Sequence, residues 1–142
     1  MGVIAYNSND VDLLARLLRA EAEDQGELGE LLVGNVGVNR VIADCLDFKD
    51  VRTVSQMVFQ SPGGFEAVQH SYFYQRAREK EKNLAYKVLK GLKYHPAEYS
   101  LYYYRPPEGA GCRAQWFGQN NVGRFKDHCF YITTASACPS LY

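Results

Sequence analysis

An α+β fold, mainly helical with a small antiparallel sheet in the C-terminal half, is predicted for this 142-residue chain by three features. Apolar residues recur at helical spacing as far as Lys90, strand-like runs replace them after His95, and the length suits one domain spanning 1–142. Helices followed by strands, instead of alternating with them, argue against a doubly wound sheet.

The elements follow in order. Asn7, Ser8, Asn9 and Asp10 are N-cap residue types, and VDLLARLLRAEAED behind them predicts a helix over about 9–23. Gly26 and Gly29 bracket an expected turn. ELLVGNVGVNRVIAD then predicts a second helix, with Leu28, Leu31, Leu32, Val38 and Ile42 as its apolar stripe. Gly34 and Gly37 inside that helix each cost about 1 kcal/mol against alanine, so a close approach of another backbone or a ligand is expected there. Thr53 caps a short helix through VSQMVFQ, which the breakers Ser61, Pro62, Gly63 and Gly64 end in a loop. A longer helix is expected over about 72–90, stopped by Gly91. EYSLYYYR and HCFYITT read as strands, separated by a Pro- and Gly-rich loop from Pro106 to Gly111.

Composition excludes several classes of function. Apolar residues make up 46% and charged residues 23%, so the chain is not disordered, and no run of about 18 uncharged apolar residues is present to form a membrane span. Sixteen Lys and Arg balance sixteen Asp and Glu, which leaves no surplus positive field for nucleic acid or an anionic lipid surface. The opening MGVIAYNSND lacks a basic segment and an apolar run, so no signal peptide and synthesis in a cytoplasm are expected. Cys45, Cys112, Cys129 and Cys138 have no zinc-ligand spacing and leave three disulfide connectivities open. Reduced thiols are the default unless the protein is later placed in an oxidising layer.

One carboxylate stands on the wrong face of its helix. Leu17, Leu18 and Glu21 lie three, four and seven residues after Leu14, which puts Glu21 in the apolar stripe, while Glu23 falls on the solvent side. Arg16 and Arg19 point away from it. Desolvation of a carboxyl in that position favours the protonated form, the state required of a general acid in glycoside cleavage. Asn35 and Asn39 occupy the apolar face of the second helix and need buried partners, expected in the loop after the first helix or in a substrate cleft.

With those residues placed, LLARLLRAEAEDQGELGELLVGNVGVNRV resembles the opening of the spore cortex-lytic cell wall hydrolases, with Glu21, Ala22, Gly29, Asn39 and Arg40 at the matching positions. The resemblance continues through VFQSPGGFEAV, LYYYRP with Trp116 behind it, and RFKDHCF. It implies a single lysozyme-like or lytic-transglycosylase-like domain, with Glu21 catalytic, acting on cortex peptidoglycan during germination. It further implies a place in the spore coat and a coat-protein partner of the GerQ type. Two positions depart from the family pattern: Gln25 stands where many relatives have a second carboxylate, and Arg105 where Asn follows the aromatic run.

The expected chemistry is cleavage at muramic acid by one carboxyl. Glu21 gives its proton to the glycosidic oxygen and then serves as base for an attacking hydroxyl. Attack by the muramoyl 6-hydroxyl needs no second carboxylate, whereas water needs a partner such as Asp24, Glu66 or Asp127. Substrate contacts are expected from Gln60 and Phe65 after the third helix and from Tyr103, Tyr104 and Trp116 as stacking surfaces, with His128 as an orienting group. No metal or other cofactor is expected; calcium needs clustered oxygens, and Asp44, Asp47 and Asp50 read as helix-end and loop charges. The competing classes are a zinc-dependent muramoyl-alanine amidase, for which only His70, His95 and His128 are present, a Cys-His peptidase, and a non-catalytic coat protein.

Overall fold

The computed structural model describes residues 4–61 and 64–142, so the expected loop at 61–64 lies partly outside the described residues. Its helical half comprises α1 (Ser8–Ala22), α2 (Gly26–Ala43), α3 (Val54–Val58) and α4 (Glu79–Leu89). The sheet comprises β1 (Tyr102–Tyr104), β2 (Gln115–Trp116), β3 (Gln119–Phe125) and β4 (His128–Ile132), all antiparallel in the order β1-β4-β3-β2. The predicted α+β class and the placement of the sheet both hold.

α1 begins at a reciprocal cap: Asn7 Oδ1 accepts from the Asp10 N–H at 3.0 Å, and Asp10 Oδ2 accepts from the Asn7 N–H at 3.0 Å. It buries Val11, Leu14, Ala15, Leu17, Leu18 and Ala22. The break after it is a 3-10 turn at Glu23–Gln25, with Gly26 at φ 79°, so the expected turn falls earlier than Gly29, which lies within α2.

α2 departs from the expected single stripe because it is the central helix, buried on all sides from Gly29 to Val41. Two residues of the expected stripe lie outside that buried stretch, Leu28 being exposed and Ile42 only half-buried. Gly34 shows why glycine is needed at the crossing. A Cβ there would lie 2.9 Å from Val88 of α4 and 3.4 Å from Leu18 of α1. Asn35 and Asn39 hold a different loop from the one expected. Asn35 donates to the Leu92 carbonyl at 2.8 Å and accepts from the Tyr94 N–H at 2.7 Å. Asn39 donates to the carbonyls of Ala97, Glu98 and Ser100 at 3.0–3.2 Å, so both amides fasten the approach to β1 onto α2.

α4 begins at Glu79, not near 72, because a buried arginine claims the preceding backbone. Arg19, 3% exposed, donates to the carbonyls of Tyr72, Gln75 and Arg76 at 2.6–3.0 Å. The Tyr72 carbonyl belongs to a short 3-10 turn, Ser71–Tyr74, which follows another at Glu66–Gln69, and the other two belong to the extended link before α4. Thr53 caps α3 as expected, accepting from the Gln56 N–H at 3.1 Å.

The sheet contains two strands that the periodicity of the chain does not reveal, β2 and β3. The Phe117-Gly118 turn joins them, both residues at positive φ, and a register shift near Val122 interrupts the β3–β4 pairing. All four cysteines are paired, Cys45 with Cys138 and Cys112 with Cys129. This corrects the reduced-thiol expectation and selects one of the three connectivities: one bridge ties the end of α2 to the C-terminal segment, the other the loop after β1 to β4. No helix among the described residues is long and apolar enough to cross a membrane.

Candidate active site

Glu21 sits at the last turn of α1, where the buried face of the helix runs out into a cleft of about 1230 Å³ between the helical half and the sheet. The carboxylate is half-buried and held at both oxygens. Oε1 accepts a short hydrogen bond from the Tyr103 hydroxyl, and Oε2 accepts from the Ala67 N–H at 3.0 Å. Three separate stretches of chain, α1, the turn at Glu66–Gln69 and β1, therefore converge on one carboxyl group.

Strand alternation delivers Tyr103 to this point. Neighbouring residues of a strand face opposite ways, so Tyr103 meets Glu21, Phe65 and Phe130, while Tyr102 and Tyr104 meet Trp116. Burial, reinforced by the Glu21 carboxylate, pushes the Tyr103 phenol well above its usual pKa, so it remains a proton donor. His128 lies against the Tyr103 ring, 4.9 Å between centroids. Burial, with a further contribution from Arg105, pulls its pKa down to about 4, so the imidazole is neutral near pH 7.

Arg40 forms part of the cleft wall from below. Its guanidinium packs against the rings of Phe65 (4.6 Å), Phe48 (4.9 Å) and Tyr102 (5.5 Å), and its Nε donates to the Leu101 carbonyl at 2.9 Å. This buried cation is visible in the sequence only as a motif position. Asp47, which accepts from the Tyr102 hydroxyl at 2.7 Å, and Asp50 are the helix-end and loop charges expected, and both also line the cleft. Phe59 and Phe117 complete the aromatic lining; neither is marked by any periodic signal.

All the predicted site residues, Glu21, Gln60, Phe65, Tyr103, Tyr104, Trp116 and His128, line this one cleft. Gln60 reaches across its wall, donating to the Asp47 carbonyl at 2.9 Å. Of the three candidate partner carboxylates, only Glu66 joins them. Asp24 is bound by Arg105 at 2.6 Å, which lowers its pKa, and Asp127 is bound by Gln25 at 3.0 Å. Gln25 is itself buried and also accepts from the Asp127 N–H at 2.9 Å, tying the turn after α1 to the β3–β4 hairpin. It supplies neither acid nor base to the cleft.

The competing chemistries find little support in these positions. His70 is exposed beside Glu66 at 3.5 Å and His95 beside Glu98 at 3.3 Å, and among the described residues no three His, Cys, Asp or Glu side chains gather as metal ligands. Cys129 is consumed by its disulfide, so it is not the thiol of a Cys-His pair.

Comparison with known proteins identifies the family and the fold. The profile of the family described as Cell Wall Hydrolase matches residues 24–131, starting three positions after Glu21. The chain is 58% identical to the cell wall hydrolase CwlJ of Oceanobacillus iheyensis, covering all of this chain and 99% of that protein. It is 55% identical to CwlJ of Bacillus subtilis, covering all of this chain and 98% of the relative. A Bacillus cereus spore cortex-lytic enzyme is 30% identical over 71% of this chain and 36% of its own length. The catalytic domain of Bacillus cereus SleB superposes with a TM-score of 0.69 at 27% identity, over 89% of this chain and 92% of that one. The catalytic domain of the germination-specific lytic transglycosylase SleB of Bacillus anthracis also gives 0.69, at 26% identity over 89% and 97%. The fold is lysozyme-like, and the chain belongs to the cell wall hydrolase family of peptidoglycan-degrading enzymes.

Proposed function

We propose that the protein degrades spore cortex peptidoglycan during germination, cutting the glycan strand at muramic acid with Glu21 as its single acid and base. The observation that carries this reading is the grip on Glu21: one oxygen faces a phenol and the other a backbone N–H, at the edge of an aromatic-lined cleft. A phenol oxygen both donates and accepts, so Tyr103 is a suitable partner for the neutral and the ionised carboxyl.

In the first step the Glu21 proton passes to the glycosidic oxygen as the bond to the muramoyl anomeric carbon breaks. The resulting carboxylate accepts from Tyr103 and Ala67 while positive charge develops on the sugar. It then takes the proton of the muramoyl 6-hydroxyl, whose oxygen closes on the anomeric carbon. The product is a 1,6-anhydro sugar, and the acid form of Glu21 is restored.

The hydrolytic alternative is favoured by one observation: Glu66 lines the same cleft, immediately before the residue whose N–H holds Glu21. Mass spectrometry of fragments released from purified cortex separates the two. Anhydro-muramoyl ends that disappear with Glu21→Gln support the single-carboxyl route; reducing ends transfer the second role to Glu66, and free stem peptides point to an amidase. A fully active Glu21→Gln protein overturns the reading altogether. Residence in the spore coat and a GerQ-type coat partner are proposed on the family resemblance, and fractionation of spores carrying a tagged protein tests them.

A further inference from the structure

Phe117 is an unusual residue for its position. It occupies the first place of the two-residue turn between β2 and β3 at φ 51°, where Asn, Asp or Gly is favoured and a side chain such as phenylalanine comes at a cost in backbone strain. The residue is nevertheless 73% exposed, so burial does not offset that cost. One face is supported by Trp116 and Tyr102, with centroids 4.7 and 5.7 Å away, and Trp116 continues to Tyr104 at 4.7 Å. The ring thus belongs to the aromatic cluster on the face of β1 opposite to Tyr103, and it lines the same cleft as Glu21.

The helical wall of the cleft has a counterpart. Phe59, at the end of α3, is 44% exposed and packs edge-on against Phe73 at 5.8 Å. Asp47, Asp50 and Glu66 line the cleft together with Arg40 and Arg105, which leaves no surplus of positive charge for an anionic ligand, whereas neutral pyranose rings present C–H faces that suit aromatic surfaces.

We propose that Phe117, with Phe59 on the facing wall, forms an outer subsite that stacks on a neutral N-acetylhexosamine ring of the glycan strand, away from the bond at Glu21. This rests on the glycan-cleaving reading above and adds to it a determinant of strand affinity. Continuity of the cleft from Glu21 to Phe117 selects the same strand as the occupant. The strained turn then serves to present an aromatic face, at some expense of stability.

Phe117→Asn separates binding from folding, because asparagine suits the turn and lacks the ring. Trp116, the only tryptophan and a direct neighbour of Phe117, reports occupancy by its fluorescence. Titration of glycan strands stripped of stem peptides into a Glu21→Gln protein, with the strands checked for cleavage afterwards, separates the two readings: cleaved strands overturn the role of Glu21, whereas intact strands leave the affinity as a measure of the outer subsite alone. The expected result for Phe117→Asn in that background is about a tenfold weaker affinity together with an unchanged or raised Tm, and Phe59→Ala should weaken binding in the same direction. Unchanged affinity overturns the proposal. So does a loss of affinity that matches a loss of folded protein in Phe117→Asn and Phe117→Gly alike, or a concentration-dependent dimer abolished by Phe117→Asn while glycan affinity stays the same.

Discussion

Tyr103 donates its hydroxyl hydrogen to Glu21 across 82 positions of sequence, joining the first helix of the molecule to the first strand of its sheet. The bond fixes the rotamer of the carboxyl and leaves a phenol where charge changes during the proposed reaction. Tyr103→Phe keeps the ring contacts with Phe65 and Phe130 and removes only the hydroxyl. The expected outcome is a fall in kcat on the order of tenfold to a hundredfold with little change in KM, since a group acting on the transition state more than on bound substrate is lost. Steady-state kinetics on cortex fragments checks it, with circular dichroism to confirm folding.

Two buried groups oppose each other in the pH dependence of stability. His128 titrates at about 4 when folded, below its ordinary 6.5, so the unfolded chain takes up the proton first and stability falls as pH drops from about 6.5 towards 4. Glu30 behaves in the opposite sense. It is 1% exposed; burial, together with a hydrogen bond to the neighbouring Glu81 and the charge of that group, raises its pKa to about 8. The folded protein therefore holds the extra proton, and its stabilising effect, complete below the unfolded value of about 4.5, is lost as pH rises through 8. Glu81 remains the ionised member because Arg78 binds both its oxygens at 2.7 Å. Glu30→Gln is expected to abolish the fall of Tm that this group contributes between about pH 4.5 and 8, leaving the His128-linked rise from about pH 4 to 6.5 unopposed.

The two disulfides should contribute unequally. Cys45–Cys138 spans a sequence separation of 93 and Cys112–Cys129 one of 17, and loop-closure entropy assigns them about 4.6 and about 3 kcal/mol respectively. Denaturant titration of Cys45→Ser/Cys138→Ser and of Cys112→Ser/Cys129→Ser is expected to show the larger loss for the first pair. Equal losses would mean that native packing, instead of chain entropy, sets their worth.

Glu21 was legible in the sequence because a helix obeys a fixed period, and a carboxylate seven residues after a core leucine has few places to go. Tyr103, Tyr104 and Trp116 were legible as aromatics in a strand region. β2 and β3 were not: QNNVGRF is polar, contains glycine and lacks alternation, and its pairing depends on turns at Phe117 and Lys126 that adopt positive φ without the usual residues. Arg19 was hidden for another reason. A charged residue within a helix reads as solvent-facing, and only the tertiary structure reveals the three carbonyls that offset its burial. The same carbonyls explain why α4 starts late, since local propensity for helix in 72–78 yields to a distant donor.

The side chains of α2 act on the approach to β1 much as a neighbouring strand would. Asn35, Asn39 and Arg40 satisfy the carbonyls of Leu92, Ala97, Glu98, Ser100 and Leu101, and Asn35 also receives the Tyr94 N–H. This stretch thus takes its shape from a helix and not from a ladder of its own. In hydrogen-exchange terms, the Tyr94 amide is coupled to Asn35, so its protection depends on the opening of the central helix instead of local fraying. The same dependence reaches the site, because the segment held on the helix is the one that leads into the strand carrying Tyr103.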